Sequence, residues 1–218
     1  MARRLEAVRA RITEAGGDVA RVRVVAVTKG FGPEAVRAAR GAGLCDLGEN
    51  YAAELLAKAA ALAGEPTGAP PVVWHFLGTV QRNKVAHLAP VVGLWQSVAR
   101  EAEGARIARF APGARVLVQV DTTGLPGRNG CPLAGVPALV ACLVDLGLDV
   151  RGLMTVAAPG PDAARDAFRS VGRLADELGL EERSMGMTDD LEEAVAAGST
   201  MVRVGRALFG PRPVAPAA

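Results

Sequence analysis

Short apolar runs bounded by turn residues recur along the chain, with helical patterns between them. The runs predict strands near residues 22–28, 44–48, 72–77, 93–98, 115–121, 150–156, 183–187 and 201–204. Several are unbroken stretches of Val, Leu and Ala, as expected of parallel strands buried on both faces. Residues 162–178 carry the clearest helix. Ala164, Ala167, Phe168, Val171, Leu174, Ala175 and Leu178 recur at helical spacing, while Asp162, Arg165, Asp166, Arg169, Arg173, Asp176 and Glu177 take the other face. Residues 51–63 follow the same pattern, and a further helix over about residues 4–15 precedes the first strand. Gly41, Gly43, Gly147 and Gly179 stand where helices should end.

Eight strands, each followed by a helix or a short closing segment, predict an α/β fold: a single closed TIM (β/α)8 barrel with an extra N-terminal helix. The rival is an open doubly wound sheet, which usually carries G-x-G-x-x-G after its first strand. Here that position reads Thr28-Lys29-Gly30-Phe31-Gly32-Pro33. One domain is expected over residues 1–218, with its core at about 4–210 and a Pro/Ala tail at 211–218. The Pro/Gly-rich stretch 64–71 reads as a loop, because no complete core lies on either side of it.

Composition narrows the function. Half of the residues are hydrophobic and 22% are charged, which excludes disorder. A net charge of +2, with no basic clump longer than Arg82-Asn83-Lys84, argues against a nucleic-acid partner. The longest charge-free stretch, 129–144, is too short to span a bilayer and is interrupted by Pro132 and Pro137. The charged N-terminus has no apolar core of a signal peptide, so a cytoplasmic protein without a membrane partner is expected. Cys45, Cys131 and Cys142 are widely spaced and read as reduced thiols. With only His75 and His87 beside them, no zinc ligand set is apparent and no metal is expected. Only three lysines, Lys29, Lys58 and Lys84, stand against 22 arginines, so each lysine is a candidate for a specific task.

In a barrel of this type chemistry sits at the C-terminal ends of the strands. Those ends present Lys29, Glu49 and Asn50, His75, Ser97, Asp121 and Thr122, Met154 and Thr155, residues 184–188 and residues 203–206. Lys29 ends the apolar run Val24-Val25-Ala26-Val27. Desolvation at a barrel mouth lowers an ammonium pKa and frees the amine for Schiff-base chemistry. The plainer reading is a lysine snorkelling from a strand end. Ser184-Met185-Gly186-Met187-Thr188 and Arg203-Val204-Gly205-Arg206 offer hydroxyls, glycine N–H groups and a helix start, which suit a phosphate. Helix capping would equally explain Ser184 and Thr188. His75, between Trp74 and Phe76, is either a hydrogen-bonded core residue or a ligand contact at a strand end.

Taken together, these segments resemble a known family. Val25-Ala26-Val27-Thr28-Lys29, Gly48-Glu49-Asn50, Trp74-His75-Phe76-Leu77-Gly78-x-x-Gln81-x-Asn83-Lys84-Val85, Gly152-Leu153-Met154-Thr155, Ser184-Met185-Gly186-Met187-Thr188-Asp189-Asp190 and Met201-Val202-Arg203-Val204-Gly205 occur in order. They resemble the pyridoxal phosphate homeostasis proteins, whose barrel is similar to the N-terminal domain of alanine racemase. The resemblance runs from about residue 4 to residue 210. It implies pyridoxal 5′-phosphate (PLP) as cofactor, carried as an aldimine on Lys29. Ser184 and Gly205 match the phosphate site, and Arg203 falls beside the pyridine nitrogen. Asn50, His75, Met154, Met185, Gly186 and Thr188 complete the cofactor-binding set that the resemblance implies.

The function so implied is intracellular homeostasis of PLP (vitamin B6) and of amino and keto acid pools, by a monomeric carrier rather than an enzyme. Its partners would be PLP and PLP-dependent apoenzymes. The alternative is a slow PLP-dependent amino-acid racemase, and a PLP-free barrel acting on a sugar phosphate is a third reading. Two-base racemisation needs a proton acceptor on each cofactor face. Alanine racemase takes its second base from a β-rich domain, and no sequence here matches that domain. Lys29 can serve one face, and the single tyrosine, Tyr51, sits at a helix start.

Overall fold

A computed structural model describes residues 1–64 and 71–212. Strands β1 (Arg23–Val27), β2 (Asp46–Glu49), β3 (Val73–Phe76), β4 (Val92–Val98), β5 (Arg115–Asp121), β6 (Cys131–Pro132), β7 (Asp149–Thr155), β8 (Glu182–Ser184) and β9 (Met201–Val204) all pair in parallel. Their order is β4-β3-β2-β1-β9-β8-β7-β5-β6, and a β4–β5 pairing closes the ring. The result is a closed eight-strand parallel barrel with β6 hanging on β5 outside the closure.

All eight sequence-predicted strands are present. The strand expected over 183–187 stops at Ser184, because Gly186 takes φ +88° and turns the chain toward the next helix. The two-residue β6 was not foreseen, since so short a piece carries no periodicity. The expected loop 64–71 and the tail 211–218 fall mostly outside the described residues.

Nine helices are described: α1 (Ala2–Glu14), α2 (Pro33–Gly41), α3 (Ala52–Leu62), α4 (Val85–Leu88), α5 (Glu101–Phe110), α6 (Val136–Asp145), α7 (Pro161–Glu177), α8 (Leu191–Ala196) and α9 (Arg206–Phe209). On α7 the buried residues Ala164, Ala167, Phe168, Val171 and Ala175 form the predicted apolar stripe. A side chain of Leu, Val or Phe buried in this way stabilises the fold by roughly 1.5–3 kcal/mol. Gly43, Gly147 and Gly179 adopt the left-handed φ that ends a helix, whereas Gly41 is simply the last residue of α2.

Alternation along the strands separates two cores. Val24, Ala26, Leu47, Trp74, Phe76 and Trp95 belong to the large core between barrel wall and helices. Val25, Leu94, Leu117, Met154 and Met201 form a smaller cluster inside the barrel. The interior is not wholly apolar: His75, Gln96, Ser184 and Arg203 are also buried there. Two glycines of the motifs allow tight backbone packing. A Cβ at Gly78 would collide with the Asn50 carbonyl, and one at Gly152 with the Glu182 carbonyl.

Candidate functional site at the barrel mouth

β1 ends in Val27, and the turn Thr28-Lys29-Gly30 follows. Gly30 has φ +77°, and a Cβ there would lie 3.0 Å from Arg212 Cδ. The ring of Phe31 packs on Phe209 at 5.3 Å between centroids, which holds this first loop against α9. The turn delivers Lys29 to a cavity of ≈ 640 Å³ at the C-terminal ends of the strands. Asn50, Leu77, Met154, Thr188, Arg203, Gly205, Arg206 and Arg212 also line it.

The Lys29 ammonium pKa lies below the ordinary lysine value. Burial is the largest cause, the positive charges of Arg212 and Arg203 add to it, and Glu49 and Glu54 pull the other way. A second buried group sits behind the turn. Lys58 Nζ donates to Glu49 Oε1 at 2.5 Å, to the Thr28 carbonyl at 2.8 Å and to Glu54 Oε2 at 3.1 Å. Thr28 Oγ1 donates to the same Glu49 oxygen at 2.6 Å, and Gly30 N–H donates to Glu54 at 2.8 Å. Burial lifts the Glu49 carboxyl above its ordinary pKa, although hydrogen bonds from Lys58 and Thr28 pull it back in part. This cluster fixes the backbone on both sides of Lys29.

Arg203 is 5% exposed at the floor of the cavity. Its Nη1 donates to the Ser184 carbonyl at 2.6 Å and to Ser184 Oγ at 2.7 Å, and its Nη2 donates to the Thr155 carbonyl at 2.7 Å. All three acceptors are neutral. Among the described residues no carboxylate forms an ion pair with it. Burial lowers its pKa to about 10, which leaves it a cation at neutral pH.

Behind the loop that carries Thr188, Arg11 of α1 forms a two-pronged ion pair with Glu192, at 2.6 and 2.7 Å, and donates to the Thr188 carbonyl at 2.8 Å. The N-terminal helix thereby fixes the loop after β8. Thr188 Oγ1 accepts from Ala207 N–H at 3.4 Å, which joins that loop to the first turn of α9. Asp189 pairs with Arg206.

Of the sequence-predicted site residues, Lys29, Asn50, Met154, Thr188, Arg203 and Gly205 meet around the cavity. His75, Ser184, Met185 and Gly186 do not line it. His75 points into the barrel below the cavity, and both ring nitrogens are engaged, with Asp46 at 2.8 Å and Gln96 at 2.6 Å. Ser184 is likewise interior, between Gln96 and Arg203. Met185, the next residue, faces outward into the large core. Gly186 turns the chain, and a Cβ there would meet Ala194 of α8 at 2.5 Å. Motif membership alone does not say which side of the barrel wall a residue faces.

Reading the strand ends overlooked Lys58, Gln96 and Arg212. Lys58 had a signal, since lysine is rare in this arginine-rich chain. Gln96 had one too, as an amide inside the apolar run of β4. Arg212 had none, because it reaches the mouth from beyond the last helix. No group of three or more metal-binding side chains occurs among the described residues, and no helix there is long and apolar enough to cross a membrane.

A family model described as the alanine racemase N-terminal domain matches residues 4–213. A pyridoxal phosphate homeostasis protein of Pseudomonas aeruginosa is 40% identical over 227 aligned positions, covering 97% of this chain and 96% of its own. The chain belongs to the pyridoxal phosphate homeostasis family. Its namesake from Deinococcus radiodurans is 39% identical, covering 94% of this chain and 97% of that one. The solved structure of PipY from Synechococcus elongatus with PLP bound superposes with a TM-score of 0.81 at 31% identity, covering 96% of this chain and 99% of PipY.

Proposed function

We propose that the mouth cavity binds PLP through Lys29, and that this one-domain barrel holds and hands on PLP within the homeostasis of the cofactor and of amino and keto acids. The observation that carries this reading is the pairing of an activated amine with a buried cation that no carboxylate touches. Lys29 is a primary amine of lowered pKa facing a cavity, and Arg203 is a buried guanidinium on that cavity whose N–H groups meet neutral acceptors, with Asp190 acting on it only at a distance. An anionic ligand bearing a carbonyl satisfies both. When bound, PLP supplies an aldehyde that an amine can attack and a ring that withdraws electrons. The PLP-bound PipY relative supports the same reading.

The chain's own groups divide the work. Lys29 supplies the attaching Nζ, and a lowered pKa raises its neutral fraction at physiological pH. Thr188 Oγ1 and the first-turn backbone of α9 after Gly205 suit the phosphate, the task the motif pattern had given to Ser184. Arg203 would face the ring of a bound PLP, and a guanidinium there keeps its own protons at neutral pH. Asn50 and Met154 shape the walls.

A carrier role is supported by the proton chemistry of the lining. Its titratable groups are Lys29, three arginines and Asp189, and Asp189 is held by Arg206. Lys29 can carry a proton on one face of a bound ring, the described lining holds no histidine, cysteine or tyrosine for the other, and general acid–base help there is typically worth ~10²–10⁴-fold. The test is titration of the purified protein with PLP. A visible band that borohydride abolishes, a mass increment on Lys29, and loss of both in Lys29→Ala are expected. The loaded protein is then incubated with each common amino acid and with a PLP-requiring apoenzyme. PLP transfer with little α-proton exchange is expected, whereas rapid stereoselective turnover of one amino acid without transfer would favour the racemase.

A further inference from the structure

An unbroken line of buried polar groups crosses the barrel interior from its floor to the mouth. Asp46 opens β2 at the floor, where its side chain is 26% exposed. Its Oδ1 lies 2.8 Å from His75 Nε2, and His75 Nδ1 lies 2.6 Å from Gln96 Nε2. Gln96 Oε1 accepts from Ser184 Oγ at 2.6 Å, and Ser184 Oγ accepts from Arg203 Nη1 at 2.7 Å. These residues come from β2, β3, β4, β8 and β9, so only barrel closure brings them into line.

The two ends fix the direction of every proton between them. A carboxylate only accepts and a guanidinium only donates. Asp46 therefore accepts a hydrogen bond from His75 Nε2–H, and Ser184 Oγ accepts one from Arg203. The Ser184 hydroxyl hydrogen must then go to Gln96 Oε1. The Gln96 amide hydrogens are left for His75 Nδ1 and for Met201 Sδ, which lies 2.9 Å away. With Gln96 flipped, its NH₂ would face Ser184 Oγ, and the Ser184 hydroxyl hydrogen would lose its acceptor. One orientation satisfies every member, and a satisfied buried network specifies a single arrangement.

We propose that Gln96 is a positioning residue for Arg203: it turns the Ser184 lone pair toward Nη1, and the Asp46 carboxylate at the far end of the barrel anchors the direction of the whole line. A carboxylate placed beside Arg203 would occupy the N–H groups that face the cavity. A distant one, linked through polarised neutral groups, leaves Nε–H and one Nη2–H unclaimed by the described residues. The consequence for PLP rests on the function proposed above, but the polarity of the line does not.

The test therefore has one arm without cofactor. Nitrogen NMR of the wild-type protein alone at pH 7 should show His75 as the Nε2–H form with Nδ1 unprotonated. Gln96→Glu offers His75 an acceptor in place of a donor, so His75 should become protonated on both nitrogens, a change that a merely space-filling role would not produce. A wild-type His75 protonated at Nδ1, or a His75 indifferent to Gln96→Glu, would overturn the proposal. In the second arm, Gln96→Leu should speed hydrogen exchange at the Arg203 guanidinium and weaken PLP binding about tenfold, with attachment at Lys29 retained. Unchanged exchange and unchanged affinity in Gln96→Leu would refute the positioning role. Failure of wild-type protein to bind PLP would refute only the proposed function, and the cofactor-free arm would still decide this one. Should Gln96→Leu not fold, wild type and Gln96→Glu suffice.

Discussion

Replacing Lys58 by Met tests whether the cluster behind Lys29 is an ion pair whose parts depend on each other. Lys58 is 3% exposed and donates to Glu49, Glu54 and the Thr28 carbonyl. Met fills similar space but leaves the fully buried Glu49 with only the Thr28 hydroxyl. Breaking a buried pair by removing one partner typically costs about 3–5 kcal/mol. Glu49 can escape by taking up a proton. At pH 7, protonating a carboxyl of ordinary pKa ~4.3 costs about 3.7 kcal/mol, which caps the penalty; at pH 5 the cap falls to about 1 kcal/mol. Urea unfolding should therefore show Lys58→Met destabilised by roughly 3–4 kcal/mol at pH 7 and by about 1 kcal/mol at pH 5. Adding Glu49→Gln should recover part of the pH 7 loss, because the double variant buries no unpaired charge. A loss below about 1 kcal/mol at pH 7, equal at both pH values, would show that Lys58 and Glu49 do not form a coupled buried pair.

Three further expectations follow from the same geometry. Gly78→Ala should cost about 1–3 kcal/mol by urea unfolding, because its methyl would press on the Asn50 backbone at the mouth. The Asp46 carboxyl is pushed up by burial, yet hydrogen bonding to His75 and the positive charges of Arg23 and Arg115 hold it below its ordinary value. Its stabilisation is thus present above the ordinary Asp range and is lost as pH falls through the lowered folded value; Asp46→Asn should flatten the acid limb of a stability–pH curve. Thr188→Val should weaken PLP binding about five- to tenfold in a spectroscopic titration while leaving attachment at Lys29 intact, the size of one lost hydrogen bond.

Much of the barrel was legible in the residues. Runs such as Val24-Val25-Ala26-Val27 announce strands buried on both faces, and the stripe from Ala164 to Leu178 announces a helix, because burial imposes a period on local sequence. The place of Lys29 on the mouth cavity was legible too, as a rare lysine just past an apolar strand. Other features had no local signature. Whether Ser184 faces the mouth cavity or the barrel axis depends on where β8 stops, and Gly186 and its packing against α8 decide that. His75 and Gln96 lie on separate strands, and only closure between β4 and β5 sets them in line with Ser184 and Arg203. Lys58 looks like a surface lysine until α3 packs it onto Glu49 and Thr28. The sequence by itself determined the period of the elements and their order along the chain, since these follow from each residue and its near neighbours. Tertiary structure alone decided which polar groups meet, because hydrogen bonds across a closed barrel join residues far apart in the chain, whose directions are set by register and not by neighbours.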